Sequence, residues 1–228
     1  MKRLLPAVVC ALSLAAGELS AVVVTGKVNF VTKRGQRPVV TETLVWLEPL
    51  SSSPAARKLT PTVPAAFQVT TRGKALLPHI VAVPVGSTIA FPNDDPISHN
   101  LFSLSSGNAF DLGLYRKGAG KTKKFDTPGT VNVYCNVHPN MSAVVHVLAT
   151  PHRTFAGSGG EYSIDVPAGR YRLVAWNEQG GKSESTIQVN AGGVTGNVSL
   201  TIDSRSFRQQ QHMNKVGKPY QAPGARDY

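Results

Sequence analysis

The sequence predicts an all-β protein, with one β-sandwich formed by the middle of the chain and a second, smaller β-sandwich formed by the segments on either side. Three observations carry this. Short runs rich in Val, Ile, Phe and Tyr recur through the 228 residues, several with period-two alternation. Gly and Pro, 21 and 16 in number, punctuate those runs at turn positions. In the middle block no segment sustains the 3.6-residue apolar period of a helix.

Met1-Lys2-Arg3 is a short basic start, and Leu4 to Ala16 is apolar but short for crossing a bilayer. Residues 1–21 therefore read as a secretory signal, cleaved near Ala16, Gly17 or Ala21, which places the mature chain in the periplasm or otherwise outside the cell. No transmembrane segment is expected in the mature chain. Cys10 follows Val9 rather than a small residue, so it does not read as a lipid-attachment cysteine. Residues 22–48 read as strands: Val22-Val23-Val24, Lys27 to Val31 and Leu44 to Leu47. Residues 49–64, rich in Ser, Pro and Ala, read as a linker. In the block 65–149, strands are expected at Phe67 to Thr71, Ile80 to Val83, Ser87 to Phe91, Asn100 to Leu104, Lys123 to Phe125, Thr130 to Tyr134 and Ala143 to Leu148. Residues 150–203 add Gly160 to Val166, Tyr171 to Trp176, Glu184 to Val189 and Val194 to Ile202. Residues 204–228 lack periodicity and read as a flexible basic tail. Neither outer block has enough strands to stand alone. Either they join into one sandwich that carries the middle block as a loop insertion, or 22–48 forms an extra sheet leaning on the middle block.

The net charge of +11 falls to about +10 once Lys2, Arg3 and Glu18 are removed. Such a balance suits an anionic surface, an acidic protein or nucleic acid. Export argues against nucleic acid, and so does the lack of an aromatic stacking stripe or a recognition helix.

Without residues 1–21, Cys135 is the only cysteine, which rules out an intrachain disulfide. A lone exported thiol is either buried and inert or a metal ligand. Its surroundings favour ligation. Cys135, His138 and Met141 are spaced three apart around a turn-forming His-Pro-Asn, and His99 lies upstream. One thiolate, two imidazoles and a thioether match copper in either oxidation state, with a weak axial Met tuning the potential. Zinc also takes Cys and His, but the Met and the lack of a carboxylate in the set weaken that reading. Thr130 to Cys135 alternates, so the thiol shares a face with Val131 and Val133 at a strand end. Asn100 reads either as a hydrogen-bonding brace to the ligand loop or as an ordinary turn asparagine. Asp94 and Asp95 read as turn-capping or solvated groups. His146 is expected to face solvent or a polar neighbour, and neither it nor His79 is expected at the metal. His152, His212 and Met213 carry no spacing argument.

Phe91-Pro92-Asn93-Asp94, Ser98-His99-Asn100-Leu101-Phe102-Ser103, Phe110-Asp111-Leu112-Gly113 and Cys135-Asn136-Val137-His138 resemble the cupredoxins, the small copper proteins that include plastocyanin and amicyanin. They are most similar to exported plastocyanin-like proteins often labelled as methylamine-utilisation proteins. The resemblance implies an eight-strand Greek-key sandwich with one mononuclear type 1 copper at one end. It also implies His99, Cys135 and His138 as equatorial ligands, Met141 as the axial ligand, and one-electron exchange with redox partners. The outer blocks resemble carboxypeptidase regulatory-like or transthyretin-like β-sandwich modules through Gly160 to Trp176.

The functional reading is therefore an exported blue-copper electron carrier. Copper storage, protection or delivery, and a structural envelope role, are the alternatives. An enzyme is not expected, because a saturated four-ligand site leaves no open position for substrate. Arg116, Lys117, Lys121, Lys123 and Lys124 fall within nine residues and read as a docking surface for an acidic donor or acceptor, or as a solvated loop.

Overall fold

A computed structural model describes residues 21–50, 66–191 and 195–220. The expected signal segment up to residue 20, linker residues 51–64 and tail residues 221–228 lie outside the described residues.

The described chain opens with β1 (Ala21–Val31) and β2 (Leu44–Pro49). β1 is one strand where two short ones are expected, and it passes through Gly26. A Cβ at Gly26 would overlap the Tyr162 hydroxyl and the Val198 carbonyl. Those two groups hydrogen-bond across the glycine at 2.8 Å, so the missing side chain is what admits them.

The middle block comprises β3 (Ala66–Gln68), β4 (Thr70–Arg72), β5 (Ala75–Leu77), β6 (Ile80–Pro84), β7 (Ser87–Asn93), β8 (His99–Ser103), β9 (Phe110–Tyr115), β10 (Gly118–Phe125), β11 (Gly129–Cys135) and β12 (Ser142–Leu148). One sheet runs β10-β7-β4-β5, with β3 also paired to β7, and the other runs β6-β12-β11-β8-β9. Leu76, Ile89, Phe91 and Phe125 from the first meet Leu101, Val131, Val133, Val145 and Val147 from the second in one buried core. Each such side chain contributes roughly 1.5–3 kcal/mol when fully buried. β5, β9 and most of β10 were not expected from the sequence. β9 and β10 are edge strands carrying Gly, Lys and Asp, so they lack the apolar alternation that marks a half-buried strand. At Gly120 (φ +71°) the β10–β7 register shifts, and a Cβ there would overlap the Phe91 carbonyl.

The last block supplies β13 (Arg153–Phe155), β14 (Glu161–Pro167), β15 (Gly169–Asn177), β16 (Gly181–Val189) and β17 (Thr195–Asp203). β1 lies between β14 and β17, and a four-stranded sheet runs β13-β2-β15-β16. These two sheets share a separate buried cluster that includes Val24, Val28, Val45, Leu47, Ile164, Leu173 and Leu200. The opposite face of β2 joins the outer strands to the middle block. Leu44, Trp46 and Val174 pack there against Ala82 of β6 and Leu148 of β12.

That joint explains His146, which is buried between the two blocks rather than placed at solvent. Its ring lies 5.9 Å from Trp46 and 4.3 Å, edge-on, from Trp176, and its Nδ1 is 3.2 Å from the Thr130 hydroxyl. Burial pushes its pKa down to about 4, so the imidazole is neutral at ordinary pH.

Candidate metal centre

Cys135 closes β11 and His99 opens β8, and these antiparallel neighbours put Cys135 opposite Leu101. Strand parity turns the thiol inward with Val131 and Val133, and all three are fully buried. After Cys135 the chain folds back on itself. The Met141 amide donates to the His138 carbonyl at 3.2 Å, and the Cys135 amide donates to the Met141 carbonyl at 3.0 Å. The Asn136 amide donates to the Asn100 carbonyl at 2.8 Å, which ties this loop to the His99 strand. His99 is fully buried, Met141 is buried in the same core as Cys135, and His138 is half-buried at the rim.

His99 Nδ1 lies 3.7 Å and His138 Nδ1 3.5 Å from Cys135 Sγ, and the three donor atoms lie within 4.8 Å of one another. Donors placed about 2.0–2.3 Å from a central ion at trigonal angles stand about 3.5–4 Å apart, so both sulfur–nitrogen separations match those of ligands to one metal. Two imidazoles, a thiolate and a nearby thioether form the donor set of a mononuclear type 1 copper site. Burial lowers the His138 imidazole from its ordinary pKa, a shift toward the neutral, ligating form.

Asp95, read from sequence as a turn cap, also belongs to this site. Its Oδ2 lies 3.0 Å from His99 Nε2, and both side chains are nearly inaccessible to solvent. It is not a ligand, because it bonds the ring nitrogen turned away from the thiol. A carboxylate four residues before a ligand histidine is the signal that would have found it. Asn100 behaves differently from its expected role. Its side-chain amide donates to Asp111 Oδ1 at 2.6 Å and not to the ligand loop, which its main-chain carbonyl holds instead.

The reading of 204–228 as a flexible tail is corrected over residues 204–220, which cross the metal end as a strap. His212 stacks on Tyr134 with ring centroids 4.3 Å apart and places Nε2 3.2 Å from the His138 carbonyl. The Lys215 amide donates to Asn136 Oδ1 at 2.9 Å, and its ammonium pairs with Asp111 at 2.7 Å. The Tyr220 hydroxyl donates to the Cys135 carbonyl at 2.7 Å. No spacing in the sequence announces these contacts, since the partners are separated by 74 to 104 residues.

With the metal cluster at one end of two facing sheets, the architecture of the middle block is on view. It is a two-sheet β-sandwich. No protein-family model matches the chain, and no curated protein matches it. Among solved structures, a purple cupredoxin from Nitrosopumilus maritimus is 24% identical, over 36% of this chain and 99% of that one, with a TM-score of 0.32. A reduced Cu(I) form of an amicyanin mutant is 22% identical over 47% of this chain and 99% of that one, with a TM-score of 0.35. A copper-containing nitrite reductase from Thermus scotoductus is 21% identical over 43% of this chain and 27% of that one, with a TM-score of 0.36. The copper reading of the middle block rests on its own donor geometry.

The other candidates lie away from this centre. His79 bridges Glu178 at 2.7 Å and the Ser142 carbonyl at 3.0 Å, and it pins the block joint rather than touching the cluster. The five basic residues do not present one face. Arg116 and Lys117 occupy the exposed turn before β10, Lys121 reaches back to the Leu112 carbonyl, Lys123 is half-buried, and Lys124 pairs with Asp126 at 2.9 Å. Among the described residues, no helix is long and apolar enough to cross a membrane.

Proposed function

We propose that this chain is an exported type 1 (blue) copper protein that carries single electrons between a donor and an acceptor redox protein. The converging set of buried His99 and Cys135 with half-buried His138 is the observation that carries the reading. His99, Cys135 and His138 would hold copper, with the Met141 thioether as a further, weaker donor, and copper would supply a one-electron couple. Everything else is the work of the chain. The paired strands and the Asn136–Asn100 hydrogen bond resist movement of the ligands, so little rearrangement accompanies a change of charge. A saturated donor set leaves no position for a substrate, which makes this a carrier and not an enzyme.

The half-buried rim position of His138 favours it as the point of electron entry and exit. The basic β9–β10 turn, with Arg116 and Lys117 exposed, favours an acidic partner. Residues 22–48 with 150–203 are read as one regulatory-like or transthyretin-like module carrying the copper block 65–149 as an insertion. The placement of β1 between β14 and β17, and of β2 between β13 and β15, supports that reading.

Copper titration followed by visible absorption and electron paramagnetic resonance tests the proposal. The expected result is one equivalent bound, an intense charge-transfer band and reversible reduction. Cys135→Ser should abolish the band, and its persistence there would sink the ligand assignment. A blue protein that loses copper on each reduction would instead point to storage or delivery.

A further inference from the structure

We propose that Asp95 is a positioning residue that lowers the reduction potential of the site by drawing on the far nitrogen of His99; this rests on the copper reading above. The carboxylate is held from two directions. Asn93 Oδ1 accepts the Asp95 amide at 2.9 Å, and Asn93 Nδ2 donates to the Ile97 carbonyl at 2.8 Å, so the segment leading to His99 is locked within itself. From the other side, β4 and β5 are joined by Gly73 and Lys74, both with positive φ (+62° and +57°), as a two-residue hairpin turn of the primed type requires. This turn aims its two amides at Asp95: Gly73 N donates to Oδ1 at 2.6 Å and Lys74 N to Oδ2 at 2.9 Å.

Both oxygens of Asp95 accept a main-chain amide, the pattern of a carboxylate, which can only accept; the proton between Asp95 and His99 therefore sits on Nε2, and the Nδ1 lone pair is free to face Cys135. A buried anion pulling on Nε2–H makes the imidazole a stronger donor at Nδ1. The more highly charged Cu(II) gains more from that donation than Cu(I). Capping the hairpin turn would need only the two amide contacts. The third contact, on a ligand ring with no access to solvent, is what a cap leaves unexplained.

The test is voltammetry of the copper-loaded full chain. Asp95→Asn keeps the shape and one acceptor oxygen but removes the charge. It should lower the Cu(II)/Cu(I) affinity ratio about tenfold, in line with the loss of an outer partner of a ligand, which is a rise of about 59 mV for a one-electron couple. Asp94→Asn is the control. It removes the same charge one residue away, from an exposed carboxylate paired with Arg72 at 2.7 Å, and should change the ratio less than twofold. A shift below twofold for Asp95→Asn, or one equal to that of Asp94→Asn, overturns the proposal. Wild-type protein that never turns blue would defeat the copper reading instead. If Asp95→Asn does not fold, proton and nitrogen NMR of the wild-type Cu(I) form decides. His99 Nε2–H must appear far downfield and exchange slowly, and a rapidly exchanging or unprotonated Nε2 rules the coupling out.

Discussion

Met141 is 1% exposed and lies in the same buried cluster as Val133 and Cys135, while its main chain accepts the Cys135 amide. The side chain therefore fills volume whether or not it meets a metal. Met141→Ala should cost about 2–5 kcal/mol in the metal-free protein, whereas Met141→Leu, which nearly conserves volume, should cost less than about 1.5 kcal/mol. Chemical denaturation of the two metal-free variants checks this. A large loss in Met141→Leu would mean that the thioether does more than pack. At this scale the sequence is most readable where chemistry and parity coincide. Val131, Val133 and Cys135 alternate with Asn132 and Tyr134, so the inward thiol could be read directly. Asp95 escaped because a carboxylate near a turn has a cheap local explanation, and its tie to His99 exists only once the hairpin at Gly73-Lys74 has closed over it.

At the scale of elements, the strap of residues 204–220 is held by polar contacts rather than by a core, and one of them titrates. Lys215 first, then the amides of Asn100 and Gly113, hold the Asp111 carboxyl well below its ordinary 3.8, at about 2. A depressed folded-state pKa stabilises the native form above the unfolded value and loses that contribution as pH falls toward the folded one. Acidification from about pH 4 to about pH 2 should therefore loosen the strap, read as faster hydrogen exchange at the Lys215 amide. Both partners are substantially exposed, so solvent screening limits the contact to about 0.2–1 kcal/mol. Lys215→Met should remove this pH dependence, and protection that still falls over the same window would assign it to another group. Strands with both faces covered, such as β2 and β12, could be found from their apolar runs. β9 and β10 could not, because an edge strand advertises neither face, and the strap had no period to betray it.

At the scale of the molecule, the two blocks meet through Leu44, Trp46, Val174, Ala82 and Leu148, with His146 enclosed by two tryptophans. That imidazole is neutral when folded and takes a proton when unfolded below 6.5, so stability is full above that pH and is lost as pH falls toward about 4. The loss should reach up to about 3 kcal/mol, at about 1.36 kcal/mol per pKa unit. His146→Phe should flatten that limb in denaturation curves taken across the window; an unchanged limb would place the sensitivity elsewhere. Strand counting showed that neither outer block was complete, but it could not pair β1 with β17. They run parallel, with Val28 against Leu200, and no local pattern reveals a partner so distant along the chain. That pairing also has a consequence in time. Every pairing of β3 to β12 lies within the middle block, whereas β1 must wait for strands that come more than 130 residues later. Refolding should then proceed in two kinetic phases, an early one that gathers the copper ligands and a late one in which the first strand finds its neighbours.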